Sequence, residues 1–295
     1  MTSRGLRVRR TAQVLALFIT AAGATAAPTH VAAAPAQVPP TSYVALGDSY
    51  TAGPLIPNQV SPLGCLRSDH DYPHLVAPAT GTETFRDVSC SGADTDNLYN
   101  EHGVWPEGPN PPQLNALDSN TRVVTMGMGG NDIGFGGIVE NCVTLLNPFA
   151  TPCQDTYVVN GVDQLSVRIA NTAPKIAAAV EAIRARSPLA KILVVGYPAI
   201  VPNSGSGCWP SLPMGFRDVP YIRAKTKELN AMLATQAAAH GATYVDVYTA
   251  SIGKDACASS GTRWVEPLVP ANAAAPIHPN ARGMQGMAMA VKAKL

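Results

Sequence analysis

Short apolar segments alternate with longer amphipathic segments along most of the chain. Three segments rich in β-branched residues are bounded by glycine and predict buried strands at residues 43–46, 122–128 and 191–195. Two weaker segments, 84–88 and 243–247, complete an expected set of five strands.

Apolar residues at steps of three or four predict three helices between and after these strands. The first carries its apolar face from Val162 to Ile183, the second spans about residues 219–240, and the third follows Pro279. Strands that alternate with helices favour a parallel sheet covered on both faces. Ligands bind such folds beyond the carboxyl ends of the strands.

The first 36 residues differ from the rest of the chain. Four arginines and no acidic residue precede an apolar stretch at 14–22, and small-residue motifs suited to cleavage follow at 24–26 and 34–36. We therefore expect a secretory signal peptide over residues 1–36, cleaved after Ala36, and a single exported domain over residues 37–295. An uncleaved amphipathic anchor is the alternative interpretation.

The six cysteines all lie after this leader, and an even number in an exported chain favours disulfides. Sequential pairing is expected because it closes short or moderate loops: Cys65–Cys90, Cys142–Cys153 and Cys208–Cys257. Zinc is the competing interpretation, but the sequence has no C-x-x-C pair and no histidine close to two cysteines, so we expect no metal site.

The charge balance argues against nucleic acid as a partner. The chain has 21 basic and 20 acidic residues, and four of the basic ones belong to the leader. The remaining domain is slightly acidic and has no cluster of Lys and Arg for phosphate contacts.

Three predicted strand ends carry residues suited to acyl chemistry. Ser49 follows the first strand, which places its hydroxyl and backbone N–H at the open edge of the sheet. Gly92 and Asn131 follow two further strands, where a glycine amide and an asparagine NH2 are neutral hydrogen-bond donors. Together the three predict an oxyanion hole. Taken singly, each is better explained as an ordinary turn, cap or flexible joint.

His278 lies just before the last predicted helix. Serine is a weak nucleophile until a base takes its proton, and histidine has a pKa suited to that work. The other histidines after the leader fall in loops or at a helix end: His70, His74, His102 and His240. A structural or merely exposed histidine is the alternative for His278 as well.

Four blocks of this sequence resemble the signature blocks of the SGNH (GDSL) hydrolases. They are GDSYTAG at Gly47–Gly53, Gly92 within SCSGADT, GGND at Gly129–Asp132 and HPN at His278–Asn280, in the family's order. The size and the cysteine pattern look most like the secreted lipases, esterases and phospholipases of actinobacteria.

The resemblance implies a fold and a set of roles. The fold is an α/β, flavodoxin-like three-layer sandwich with a central five-stranded parallel sheet. Ser49 is then the nucleophile, His278 the general base and later acid, and Ser49, Gly92 and Asn131 the oxyanion donors. Asp48 and Asp132 adjoin these residues and are expected to support their geometry.

One position departs from the family pattern. Many members have an aspartate three residues before the histidine, and this chain has Ala275 there. We expect the backbone carbonyl of Ala275 or a neighbour to orient the imidazole, which gives a Ser–His dyad. Asp246 and Asp255 rank below the carbonyl as replacement acids.

The expected activity is hydrolysis of carboxylic esters, chiefly lipid acyl esters, through an acyl-Ser49 intermediate without a metal or organic cofactor. The expected protein is a monomer without a stable membrane anchor that touches lipid surfaces transiently. The apolar loop 145–149 either accepts acyl chains or only packs near the cysteines. A carbohydrate O-acetylesterase and a non-catalytic secreted binding protein are the alternative functions.

Overall fold

A five-stranded parallel sheet lies at the centre of the computed structural model, which describes residues 40–295. Its strands are β1 Ser42–Gly47, β2 Thr84–Asp87, β3 Thr121–Gly127, β4 Lys191–Val195 and β5 Thr243–Val245. The order across the sheet is β2-β1-β3-β4-β5, and every neighbouring pair is parallel. This is the doubly wound, flavodoxin-like order, as predicted.

Helices of very different lengths connect these strands. The α-helices of the described residues are α1 Ser49–Ala52, α2 Tyr72–Val76, α3 Phe135–Cys142, α4 Gln154–Tyr157, α5 Gln164–Arg186, α6 Asp218–Ala239, α7 Tyr248–Ser251 and α8 Ala281–Lys292. Single 3₁₀ turns occur at Leu63–Cys65, Ala77–Ala79, Thr95–Leu98 and Gln113–Ala116. Two small antiparallel ladders pair Gln59–Val60 with Arg67–Ser68 and Val158–Val159 with Val162–Asp163.

The alternation of side chains along β1 shows how the three layers form. Val44 and Leu46 are fully buried on the face covered by α5 and α6, whereas Tyr43 and Ala45 are fully buried on the face covered by α2 and α8. Successive side chains of a strand point to opposite faces, so a strand covered on both sides reads as a continuous apolar run. The predicted three-layer sandwich is thus confirmed.

Two element boundaries differ from the prediction by two residues. Helix α5 begins at Gln164, because the Asp163 carboxylate accepts hydrogen bonds from the N–H groups of Leu165 and Ser166 and caps the helix. Val162 therefore precedes the helix, pairs with Val159 and is about half exposed. Strand β5 also ends at Val245, two residues before the predicted end.

The three disulfides are Cys65–Cys90, Cys142–Cys153 and Cys208–Cys257, which confirms the sequential pairing. The first of these ties the loop that follows α1 to the segment between β2 and Gly92. The signal-peptide prediction falls outside the described residues. Within residues 40–295, none of the helices combines the length and the apolar character needed to cross a membrane.

Candidate active site

Ser49 is the first residue of α1, directly after β1. The Asp48 carboxylate caps this short helix by accepting a 2.8 Å hydrogen bond from the Tyr50 N–H. The turn is so tight that a Cβ added to Gly47 would lie 2.1 Å from the Thr51 hydroxyl oxygen, so only glycine fits there. As the first helical residue, Ser49 also has a backbone N–H without an intrahelical acceptor.

His278 meets Ser49 from the far end of the chain. The His278 Nε2 atom lies 2.8 Å from Ser49 Oγ, which is a hydrogen-bond distance. Burial lowers the pKa of His278 below its ordinary value of 6.5, and the bond from Nδ1 to the Pro276 carbonyl partly opposes that effect. The imidazole is therefore neutral near pH 7 and able to take a proton from the hydroxyl.

The carbonyl that orients the imidazole belongs to Pro276 and not to Ala275. His278 Nδ1 donates to the Pro276 carbonyl oxygen across 2.7 Å. The Ala275 carbonyl instead accepts the backbone N–H of His278 at 3.2 Å, so the orienting group is the neighbouring carbonyl and not that of Ala275, the residue named first in the prediction.

The two distant aspartates are engaged elsewhere. Asp246 accepts the Thr249 N–H and Asp255 accepts the Cys257 N–H, each at 3.0 Å. Across residues 40–295, no carboxylate forms a hydrogen bond or an ion pair with the His278 ring. Within this part of the chain the arrangement is a Ser–His pair oriented by a backbone carbonyl.

The fully buried Glu266 anchors the loop that carries His278. Its backbone exchanges two hydrogen bonds with this loop, from its N–H to the His278 carbonyl and from the Ile277 N–H to its own carbonyl. Its carboxylate accepts a 2.5 Å hydrogen bond from Asn280, the residue that caps α8. The Tyr50 hydroxyl donates to the Ile277 carbonyl at 2.6 Å and so joins the histidine loop to α1.

Gly92 and Asn131 border the same cavity as Ser49 and His278. Gly92 has a φ of +85°, a backbone conformation that favours glycine, and an added Cβ would meet only the His102 ring at ordinary contact distance. The Asn131 side chain donates one N–H to the Ala93 carbonyl at 2.8 Å. Its second N–H remains for a ligand, because an NH2 group has two donors.

Asp132 supports this segment from behind. Its carboxylate accepts hydrogen bonds from the Thr95 N–H and hydroxyl and lies 3.2 Å from Lys175 Nζ. It thereby joins the Asn131 loop to the segment that follows Gly92, in keeping with the supporting role expected for it.

Tyr197 connects the serine turn to the Asn131 loop. Its hydroxyl donates to Asp48 Oδ2 at 2.5 Å and accepts the Gly130 N–H at 2.8 Å. Burial raises the pKa of Asp48 to about 7, although its bonds from Tyr197 and from the Tyr50 N–H oppose the rise. Asp48 thus holds the turn geometry from a buried position and does not contact His278.

The cavity beside Ser49 has a volume of about 290 Å³ and is mostly apolar. Six large side chains, from α3, α6 and the neighbouring loops, form much of its wall: Ile133, Phe135, Ile138, Ile200, Ile222 and Leu229. Lys225 also borders it, but its ammonium is paired with Asp163 and Glu228, each at 2.7 Å. The wall therefore suits a hydrocarbon chain.

The loop 145–149 does not border this cavity. Leu146 is 95 % exposed, and Phe149 is exposed except for an edge-on contact with Phe216. The loop therefore does not supply the acyl-chain wall of this cavity, and its exposed side chains do not favour the alternative of ordinary packing near Cys142 and Cys153.

Sequence reasoning missed Tyr197, Glu266 and the six apolar wall residues. Tyr197 follows β4 at the same sheet edge as the other site residues, which was the available signal. Glu266 and the wall residues come from loops and helix faces whose meeting depends on the tertiary fold, so no local pattern marks them.

Comparison with known proteins agrees with this geometry. Residues 45–285 match the model of the GDSL-like lipase/acylhydrolase family. The chain belongs to the GDSL-like lipase/acylhydrolase family. Lipase 2 of Streptomyces coelicolor is 41 % identical over 297 residues, covering 98 % of this chain and 97 % of that protein.

Two solved structures of a phospholipase and a lipase resemble the fold of this chain. Phospholipase A1 from Streptomyces albidoflavus NA297 matches with a TM-score of 0.72 and 28 % identity, covering 87 % of this chain and 100 % of that one. The extracellular lipase from Streptomyces rimosus matches with a TM-score of 0.66 and 28 % identity, covering 86 % and 100 %. This GDSL-like lipase/acylhydrolase is therefore a carboxylic ester hydrolase of the lipase and esterase type.

Proposed function

We propose that the protein hydrolyses lipid acyl esters through a covalent acyl-Ser49 intermediate. Ser49 Oγ attacks the ester carbonyl while His278 Nε2 takes the hydroxyl proton. The negative charge that develops on the carbonyl oxygen is held by Ser49 N–H, Gly92 N–H and the free N–H of Asn131. His278 then gives its proton to the leaving alcohol, and water repeats the sequence on the acyl-enzyme.

The observation that carries this proposal is the 2.8 Å separation of Ser49 Oγ and His278 Nε2 at the edge of an apolar cavity. A nucleophile and its base at hydrogen-bond distance, with the base oriented by a third group, is the arrangement that activates serine. The Pro276 carbonyl fills the orienting role. A neutral carbonyl fixes the imidazole tautomer but stabilises the imidazolium less than a carboxylate does.

The cavity favours an acyl chain longer than acetyl. Its volume of about 290 Å³ and its wall of large apolar side chains leave room for several methylene groups. The lipase and phospholipase names of the similar proteins agree with acyl esters of glycerol as substrates. The wall of six large apolar side chains therefore favours lipid acyl esters over acetyl esters as substrates.

We further propose that the protein acts outside the cell as a monomer. Three disulfides persist in an oxidising environment and are typical of secreted proteins. The similar Streptomyces rimosus enzyme is an extracellular lipase. We expect only transient contact with lipid surfaces, through exposed apolar side chains such as Leu146.

The test compares the wild-type protein with Ser49→Ala and Ser91→Ala on p-nitrophenyl esters of increasing chain length, phosphatidylcholine and acetylated xylan. Ser91 also borders the cavity and is the matched control. We expect Ser49→Ala to lose about 10³-fold or more in kcat, whereas Ser91→Ala retains most activity. Equal turnover by Ser49→Ala would overturn the mechanism, and activity on acetylated xylan alone would overturn the lipid assignment.

A further inference from the structure

Three side chains with metal-ligating atoms meet beside the end of β2, apart from the catalytic cavity. Asp71 caps α2, His74 lies in the first turn of that helix, and Asp87 is the last residue of β2. One ligand atom from each lies within 4.8 Å of the other two. His74 Nδ1 is 2.7 Å from Asp71 Oδ1 and 3.9 Å from Asp87 Oδ2.

Each of the two carboxylates has one oxygen without a partner. Asp71 Oδ1 accepts the His74 N–H at 3.0 Å, and Asp87 Oδ1 accepts the Ser89 N–H at 2.9 Å. In the described part of the chain, the Oδ2 atoms of both have no hydrogen-bond donor. The Asp71 side chain is fully buried and that of Asp87 is 3 % exposed. Unpaired buried carboxylate oxygens are costly and require an explanation.

The neighbouring charges leave room for a cation. Arg67 is close enough to act on Asp71, but its guanidinium donates to the backbone carbonyls of Ser89 at 2.9 Å and Ser61 at 2.8 Å. The Asp71 and Asp87 carboxylates also interact directly with each other, which without a metal requires one shared proton. A bound cation takes the place of this proton and engages both free oxygens.

We propose that Asp71, His74 and Asp87 form a structural site for a divalent transition-metal ion, with Zn²⁺ as the best match. One imidazole nitrogen and two carboxylate oxygens are ligands that zinc accepts, and a water completes four-coordination. The His74 side chain is 29 % exposed, which opens a path for the ion and the water. The ion ties α2 to the strand that leads into Cys90 and Gly92.

The experiment uses tag-free Ser49→Ala protein, so that the result is independent of catalysis. After removal of metals with a chelator, the protein is dialysed against Zn²⁺. Elemental analysis then gives the number of zinc ions bound per chain, and thermal denaturation gives the Tm with and without zinc. We expect one zinc per chain and a higher Tm. Asp87→Asn and His74→Gln should each bind zinc about tenfold more weakly or worse.

The neighbouring pair Asp69 and His70 provides the matched control. These side chains also contact each other, yet they are exposed, so His70→Gln is expected to bind zinc as tightly as the parent. Circular dichroism confirms that the variants are folded.

Loss of binding in His70→Gln but not in His74→Gln would overturn the proposal. The proposal would also be overturned if the parent protein neither retained zinc nor gained thermal stability from it. A proton shared by Asp71 and Asp87 would then explain their unpaired oxygens. Stoichiometric binding of Ca²⁺ or Mg²⁺ in place of Zn²⁺ would contradict the proposed metal class. These outcomes do not depend on the esterase assay, because zinc binding is measured on the Ser49→Ala protein.

Discussion

Replacing Tyr197 with phenylalanine tests how the serine turn and the Asn131 loop are held together. The change removes only the hydroxyl, which donates to Asp48 Oδ2 and accepts the Gly130 N–H. Both partners are buried, and an unsatisfied buried polar group costs about 1–3 kcal/mol. We therefore expect Tyr197→Phe to lose about 2–4 kcal/mol in the free energy of unfolding.

The loss should grow with pH. Burial raises the pKa of Asp48 to about 7, and the hydroxyl of Tyr197 opposes this rise. A raised pKa in the folded state means that stability falls as pH rises through that value, because the folded protein must give up a proton that it binds tightly. Without the hydroxyl the folded pKa of Asp48 is higher still, so the variant's disadvantage is larger at pH 8 than at pH 5.

Urea denaturation at pH 5 and pH 8 measures both effects, with Tyr99→Phe as control because Tyr99 is 44 % exposed. The same preparations should show a reduced kcat with little change in KM, since small displacements of Ser49 and Asn131 impair the reaction more than binding. Equal stability of Tyr197→Phe and wild type at both pH values would refute the argument for this link.

Three further outcomes follow from the site. The lowered pKa of His278 keeps the imidazole neutral to lower pH. The value of kcat/KM for a p-nitrophenyl ester should therefore rise with pH and reach half its plateau below pH 6.5. A midpoint above that value would contradict the assignment of His278 as the general base. Ile222→Phe fills the cavity and should lower kcat/KM for decanoyl relative to butyryl esters by about fourfold per excluded methylene. Leu146→Ser, which lies outside the cavity, should leave this ratio unchanged. A changed ratio in Leu146→Ser alone would place the acyl-chain site at the loop 145–149. Glu266→Gln loosens the histidine loop and should lower kcat with KM nearly constant, and steady-state kinetics that show only a KM effect would argue against this positioning role.

Much of the sheet was predictable because its signals are local. The buried apolar run at 191–195 and the periodic apolar face of α5 depend only on residues that are close in sequence. The start of α5 was misplaced by two residues, because the Asp163 cap decides where the helix begins.

The chemistry of the site was partly predictable for a different reason. Parallel strands bring their carboxyl ends to one edge, so Ser49 and Asn131 were expected to meet there. The orienting carbonyl was placed at Ala275 or a neighbour, because sequence does not reveal that the Ala275 carbonyl is already bonded to the His278 N–H. The cavity wall and the Glu266 anchor arise from packing between distant segments, which no local pattern encodes.

Trapping the acyl-enzyme tests the central claim most directly. Wild-type protein mixed with p-nitrophenyl butyrate and quenched in acid within the first turnover is digested, and the peptides are analysed by mass spectrometry. We predict a butyryl group on Ser49 and its absence from Ser49→Ala. A butyryl group on another residue, or full turnover by Ser49→Ala, would contradict the account.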